Sequence, residues 1–287
     1  MTKRFFISVL LMGTFVACRS VSGNSKKDSL GKTIYTPQSQ TSEALPSIKK
    51  YKNFLAGDWV NKDYFDEIKR TKSTQLAYGK AGPITDMLID TGAIKADTLL
   101  VQYNSSFHEA FSLIINFNPG KSEDAITAHD PADYIDRKFY KLKINAVNQL
   151  LTVFIYDKQG KFVDSVHFFK PPPGDHGQIS VDDYLINQIL ISGKYIATDS
   201  LKNSFKVSFT NDGKLTGLND FKTYGIGTDF MTPPNNIDQI FLDGGKTQKM
   251  YGFKINADTL NLYETKDAPD SVNLLLTNLK YKMVRQK

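Results

Sequence analysis

Short segments in which apolar and polar residues alternate account for most of the chain beyond residue 49. In Phe205–Phe209 the apolar residues occupy every second position, and Asn211-Asp212-Gly213 follows before Leu215. Alternate side chains of a strand point to opposite faces, and a turn of this composition predicts a hairpin. Further strands are predicted at 87–90, 99–103, 111–117, 150–156, 162–169, around 224, and at 240–242 and 272–282. The sequence therefore predicts a mainly β fold, an antiparallel meander that closes into one or two barrels.

Helical segments are few. One is predicted at 64–76, where Asp63 can cap the first turn. A second is predicted from Val181 to about Ile189, with Asp182 and Asp183 near its positive end. The predicted fold therefore includes one or two short helices.

Two short motifs occur twice in the same order. Gly57-Asp58-Trp59-Val60 returns as Gly193-Lys194-Tyr195-Ile196, and the segment 140–146 returns with substitutions at 251–257. Between the copies lies Pro171-Pro172-Pro173-Gly174, which cannot continue a sheet ladder because proline lacks a backbone N–H. These features predict two tandem units at 49–170 and 182–287, joined by a linker at 171–181. The alternative is a chance likeness of short β segments within one larger sheet system.

The N-terminus has the features of an export signal. Two cations precede an apolar run, Phe5 to Val16, and Ala17 and then Cys18 follow it. The run is shorter than the roughly 20 apolar residues that span a bilayer, and a small residue suits a signal peptidase. The segment resembles the lipobox of bacterial lipoproteins, although Phe15 stands where that family usually has leucine.

That resemblance implies that 1–17 is a signal peptide and that Cys18 carries diacylglycerol and an acyl chain such as palmitate. Several acyl chains on one residue make a membrane anchor effectively permanent. Residues 18–48 lack apolar periodicity and are predicted to be a flexible tether, with its ends roughly 30 Å apart. After Cys18 there is neither the aspartate that retains such lipoproteins at the inner membrane nor the acidic run that in Bacteroidota resembles a surface-export signal. The expected location is the outer membrane, facing the periplasm, with the inner membrane as the alternative.

Charge and cysteine content exclude some classes of partner. The net charge is +6, and removal of Lys3 and Arg4 with the signal peptide leaves +4. A mild excess without a basic stripe argues for loose attraction to anionic lipid and against nucleic acid. With one cysteine, the chain forms no internal disulfide.

Motifs for catalysis or metal binding are incomplete. His108-Glu109 begins like the His-Glu-x-x-His of metalloproteases, but Ser112 occupies the place of the second ligand. Gly244-Gly245-Lys246-Thr247 lacks the earlier glycine of a phosphate loop, and Gly225-Ile226-Gly227 lacks the third glycine of a dinucleotide loop. The remaining histidines stand alone: His129, His167 and His176. We predict no catalytic residue, metal or cofactor, while a hydrolase with a scattered triad stays open because triads have no fixed spacing.

Gly57-Asp58-Trp59, followed by a short helix and a meander of strands, resembles the opening of the calycins, that is, lipocalins and fatty-acid-binding proteins. In the second copy Tyr195 replaces the tryptophan. The resemblance implies a small apolar ligand inside a barrel and no cofactor. Trp59 would then either contact that ligand or plug the barrel base.

Alternation along one strand predicts further residues of this ligand site. Phe107, Glu109, Phe111, Leu113, Ile115 and Phe117 share one face. A carboxylate on an apolar face needs a partner or water, since burying it unpaired costs several kcal/mol. Glu109 is therefore either a rim residue in solvent or a contact, with Phe111, to a ligand's polar head.

Two functions follow. The first is a lipid-anchored envelope protein of lipocalin-like type that binds a small apolar or amphipathic ligand. The alternative is a structural or protein-interaction module of the envelope without enzymatic activity. Large inward side chains throughout the barrel favour the second, and a lined cavity favours the first.

The lipid anchor can be tested at Cys18. Cys18→Ser should leave the precursor uncleaved by the lipoprotein peptidase and abolish labelling by a fatty-acid analogue, because the acylated sulfur is gone. Undiminished labelling of that variant would show that Cys18 carries no lipid.

Overall fold

In a computed structural model of the chain, the alternating segments form antiparallel strands that bury one face and expose the other. The described residues are 26–27, 33–34, 46–95, 98–105, 107, 109–117, 126–131, 138–174, 176–230, 236–245 and 248–287, and for 26–27, 33–34 and 46–50 the description covers the backbone alone. Cys18, the predicted signal peptide and most of the predicted tether lie outside these residues.

Residues 1–43 and 44–287 form two compact units. In the first, β1 (Lys26–Lys27) pairs with β2 (Thr33–Ile34) in antiparallel fashion. The second unit contains both large sheets and the helices. Its first element, α1 (Pro46–Leu55), begins within the segment that the sequence assigns to the tether.

The first large sheet closes on itself. Its strands are β3 (Gly57–Asn61), β4 (Asp86–Ile89), β5 (Thr98–Ser105), β6 (Glu109–Phe117), β7 (Ile126–His129), β8 (Phe139–Asn145), β9 (Leu150–Tyr156) and β10 (Phe162–Phe169). Each strand pairs with the next along the chain, and β10 returns to β3, where Phe168 lies opposite Asn61 and Phe169 opposite Val60. The mainly β, antiparallel barrel fold is thus confirmed.

Large apolar side chains fill the interior of this barrel. In β5, Leu99, Val101 and Tyr103 face inward while Leu100 and Gln102 face outward, as the period of two requires. The buried cluster inside the barrel has no member more than 7% exposed, and it includes Trp59, Met87, Ile89, Leu113, Ile115, Phe117, Leu142, Leu151, Val153, Ile155 and Phe168. Such dense packing is characteristic of a barrel core.

The second sheet repeats this order. Its strands are β11 (Gly193–Asp199), β12 (Ser204–Phe209), β13 (Leu215–Thr216), β14 (Thr223–Ile226), β15 (Gln239–Asp243), β16 (Gln248–Asn256), β17 (Thr259–Asp267) and β18 (Leu274–Arg285). β18 pairs back to β11, and the two edge strands, β13 and β14, meet through one bridge between Lys214 and Thr223. There Tyr224 N donates to Gly213 O at 2.8 Å. Eight consecutive strands therefore form this sheet, whose edge strands approach each other at this bridge.

The repeated motifs occupy equivalent places in the two sheets. Trp59 and Tyr195 lie in the first strand of each, and Tyr140 and Tyr251 lie in the sixth, all four buried. The sequence repeat therefore corresponds to a structural repeat of eight strands.

Each sheet is closed at one end by the same arrangement of helix, aromatic ring and cation. Trp59 Nε1 donates to Leu55 O at 2.8 Å at the end of α1, and Lys170 Nζ lies 5.2 Å from the Trp59 ring centroid while donating to Ala56 O at 2.7 Å. Trp59 thus plugs the barrel base.

The second sheet has the corresponding contacts. Tyr195 Oη donates to Ile191 O at 2.6 Å, just after α4 (Val181–Leu190). Arg285 lies 5.2 Å from the Tyr195 ring centroid and donates to Ser192 O at 2.6 Å. In both sheets the cation compensates carbonyl groups that the helix end leaves unpaired.

The chain between β3 and β4 joins the two sheets. It forms α2 (Lys62–Thr71), α3 (Thr74–Ala77) and a 3-10 turn at 78–80. Tyr64, Phe65 and Ile68 of α2 belong to the same buried cluster as Leu185 and Ile186 of α4 and the interior of the second sheet. The apolar cluster of the second sheet therefore extends over α2 to Val60 of β3, while the interior of the first barrel is a separate cluster.

The boundaries of the helical segment at 64–76 differ from the prediction. Asn61, and not Asp63, is the N-cap, since its Oδ1 accepts from Tyr64 N at 3.0 Å. α2 ends at Thr71, and its C-cap, Lys72, adopts a left-handed φ of 57°. Ser73 then caps α3. One predicted helix is thus two.

None of the helices that the structure describes combines the length and apolar character needed to cross a bilayer.

Asn61 provides a test of this joint. It is fully buried, caps α2 and donates from Nδ2 to Ala81 O at 2.6 Å. Asn61→Ala should lower the free energy of unfolding by about 2–3 kcal/mol in urea denaturation, because it removes a cap and leaves a buried carbonyl unpaired. The exposed Asn148→Ala should change it by less than about 0.5 kcal/mol. Equal effects of the two substitutions would contradict the assigned role of Asn61.

Candidate functional site

The three residues predicted as weak ligand contacts have different surroundings. Trp59 and Phe111 lie in one row across the sheet, with Met87 and Tyr103 between them. Phe111 is half-buried, and its ring stacks on Tyr103 at 5.6 Å. Glu109 is exposed at the first residue of β6, opposite Ser105, so it faces solvent and not the barrel interior.

Both ends of the first barrel are covered. α1 and the Trp59 plug close one end. At the other end, Phe107 in the turn between β5 and β6 packs 4.8 Å from Tyr64 of α2 and contacts the core of the second sheet. A buried ligand would need accessible surface on the side chains around it, which the filled interior does not provide.

A cleft outside the barrel offers a better site. It has a volume of about 470 Å³ and lies between the outer face of β3–β6 and the segment 174–182. We call it the linker cleft. Its barrel side consists of Asp58, Asp86, Leu88, Gln102, Tyr103, Asn104 and Ala110, and its linker side of Gly174, His176, Gly177, Ile179, Ser180, Val181 and Asp182.

Two carboxyl groups meet in the linker cleft. Asp86 is on β4 and Asp182 is in the first turn of α4, whose N-cap is Ser180. The side chains of Asp86 and Asp182 hydrogen bond to each other. Asn104 Nδ2 donates to both oxygens of Asp86 at 2.9 Å, which holds this carboxylate in place as an acceptor.

Burial determines the protonation of the pair. Asp182 is only 6% exposed, and burial raises its pKa well above 3.8, with the negative charge of Asp86 as the next cause. Burial also raises the pKa of Asp86, but hydrogen bonds from Asp182 and Asn104 oppose that rise. The pair therefore favours retention of one shared proton over the loss of both.

Polar atoms near the pair lack partners. Asp182 Oδ1 is buried without a hydrogen-bond partner, and so are Tyr64 Oη on α2 and Asn187 Oδ1 on α4. Burial raises the pKa of Tyr64, so its hydroxyl keeps its proton. An unpaired buried oxygen costs about 1–3 kcal/mol, so these groups lower the stability of the region around the pair.

The other motifs discussed from sequence have structural roles. His167 Nδ1 lies 2.8 Å from Asp63 Oδ2, and His129 Nδ1 lies 3.3 Å from Asn116 Nδ2. Gly245, with φ of +84°, forms a turn in which its N–H donates to Asp243 Oδ1 at 2.6 Å. Within the described residues, no three His, Cys, Asp or Glu side chains could together hold a metal ion.

The carboxyl pair is not predicted from the sequence. There Asp182 is a helix-terminal acid, and Asp86 has no predicted role. Asp86 follows Thr85 at the start of an apolar strand, where a charged outward residue is ordinary. Nothing in the sequence indicates that α4 folds back onto β4. The one available signal was the position of Asp182 directly after the predicted linker.

The pair predicts a pH effect on stability. The pKa of Asp182 is higher in the folded state than its ordinary value of 3.8. The protonated group therefore contributes to the free energy of unfolding below pH 3.8, and this contribution is lost as the pH rises through the folded-state pKa. Asp182→Asn keeps a donor to Asp86 but cannot ionise. Urea denaturation from about pH 4 to pH 8 should therefore show this variant gaining stability relative to the parent as the pH rises. The exposed Asp164→Asn serves as control, and parallel profiles for Asp182→Asn and the parent would contradict the assignment.

Comparisons with protein-family models, with curated proteins and with solved structures found no match for this chain.

Proposed function

We propose that the chain is a lipid-anchored envelope protein that binds a small amphipathic cation in the linker cleft. The observation that carries the proposal is the pair of carboxyl groups, Asp86 and Asp182, that lines a cleft of about 470 Å³. The lipid anchor is supported by the sequence around Cys18.

The walls of the cleft indicate the chemistry of the ligand. Leu88, Ala110, Ile179 and Val181 supply an apolar side, and Gln102 and Asn104 supply neutral polar groups. A ligand with a short apolar body and a polar head fits this combination.

The acidic end of the cleft selects the head group. Asp58, Asp86 and Asp182 line the cleft, and none of the described residues that line it is a lysine or an arginine. An ammonium group donates up to three hydrogen bonds, and it can replace the proton that Asp182 shares with Asp86. Binding of such a group would release that proton, whereas an anion would meet only repulsion.

The site therefore differs from the one that the calycin resemblance implies. In that family the ligand lies inside the barrel, but here large side chains fill the first barrel. The proposed cleft lies on the outer face of β3–β6, where the linker makes its second wall.

The ligand class can be tested with 2-phenylethylamine, its neutral analogue 2-phenylethanol and the anion phenylacetate. Isothermal titration at about pH 7.5 should show the amine binding at least about tenfold more tightly than the alcohol, which is 1.4 kcal/mol, and no binding of phenylacetate. Titration in buffers of different ionisation enthalpy should reveal release of a proton with the amine.

Matched variants locate the site. Asp182→Asn should reduce amine affinity about tenfold or more, while Asp183→Asn, its neighbour on α4 that does not line the cleft, should leave it unchanged. Equal affinity for all three compounds, or equal loss in both variants, would contradict the proposed site.

A further inference from the structure

A second surface of the first barrel bears exposed aromatic rings. Phe139 is 49% exposed, Phe162 is 52% exposed and Val163 is 56% exposed. Phe139 lies opposite Tyr156 on β9, and Tyr156 lies opposite Phe162 on β10. The rings of Tyr156 and Phe162 are 6.0 Å apart. We call these four residues the aromatic surface.

An irregularity in the strand pairing produces part of this surface. The register shifts between Phe162 and Asp164, so Val163 has no cross-strand partner there. Two consecutive apolar side chains are thereby exposed, whereas regular alternation would turn one of them inward. Beside the rings lies an apolar hollow of about 410 Å³ that Phe139, Tyr140 and Tyr156 help to line.

Lysines surround the rings. Lys141 Nζ lies 4.8 Å from the Tyr156 ring centroid, and Lys158 and Lys161 are exposed in the turn between β9 and β10. The nearby carboxylates of Asp157 and Asp164 accept backbone N–H groups, Asp157 from Lys161 at 2.9 Å and Asp164 from Ser165 at 2.7 Å. Cations thus flank the apolar side chains of the β9–β10 hairpin.

We infer that the aromatic surface lies against an anionic lipid membrane. Exposed aromatic rings favour the interface of a bilayer, where lysines contact anionic head groups. Protein–protein interfaces share the aromatic enrichment but are depleted in lysine, so the flanking lysines favour lipid over a protein partner.

Vesicle binding tests this inference with the chain Arg19–Lys287, which lacks Cys18 and retains every described residue. It should cosediment with vesicles of phosphatidylglycerol and phosphatidylcholine, more weakly with pure phosphatidylcholine, and less at high salt. The inference rests on the proposed location in the envelope. Because the chain Arg19–Lys287 carries no lipid, its binding to vesicles does not depend on acylation of Cys18, and the two proposals can fail separately.

Variants assign the binding to the surface. Phe139→Ser with Phe162→Ser should lower partitioning at least about tenfold on both kinds of vesicle, because two rings no longer enter the interface. Lys158→Glu with Lys161→Glu should lower it only on anionic vesicles. Leu201→Ser, at an exposed apolar residue between β11 and β12, should leave it unchanged.

Three results would overturn the inference. One is the absence of vesicle binding, and another is an equal loss for Leu201→Ser. The third combines two observations. In cells, the aromatic surface crosslinks to an envelope protein and the variant with Phe139→Ser and Phe162→Ser does not, while neither the parent chain nor this variant binds vesicles. That result would make the surface a protein-docking site.

Discussion

The pairing of β10 with β3 is the interaction on which the rest of the structure depends. It gives the first sheet no open edge, since Phe168 and Phe169 find partners in Asn61 and Val60. An open sheet would expose a row of unpaired backbone groups and one side of its apolar face. Closure instead buries that face around Trp59 and fixes which strand residues point outward. The linker cleft and the aromatic surface both lie on this outer face.

The two sheets share one closing device but differ in what covers them. Trp59 with Lys170 and Tyr195 with Arg285 each join a helix end to the first strand. The first sheet adds α2 and α3, which pack against α4 and the second sheet. Thr74 Oγ1 reinforces this contact by donating to Asp238 Oδ1 at 2.9 Å. The joint therefore holds α4 and the preceding linker close to the outer face of β4.

That placement explains the unusual state of Asp182. At a helix N-terminus a carboxylate is ordinarily stabilised as an anion, yet here burial and the facing Asp86 favour the protonated form. Desolvation outweighs the helix dipole because Asp182 is almost wholly removed from water. Outer-face residues that would be solvated on an isolated barrel thus become an acidic cleft once the linker covers them.

The sequence by itself determined the strands and their alternation. The limits of β9 and β10 agree with the prediction, because the period of two and the turn at 157–161 are local properties. The Gly-aromatic motifs also indicated the structural repeat. Local patterns did not determine the helix ends. Both Asn61 and Asp63 can cap α2, and Asn61 is the cap because its side chain is also held by a hydrogen bond to Ala81 O.

Only the tertiary structure decided the candidate site. Asp86 and Asp182 are far apart in the chain, and their contact follows from the packing of α4 against α2, which no local pattern encodes. The exposure of Glu109 also depends on the tertiary structure. Alternation assigned it to the core face, but the start of β6 lies beyond the buried part of the barrel. Side-chain periodicity specifies a face of a strand, but burial depends on what the rest of the fold places against that face.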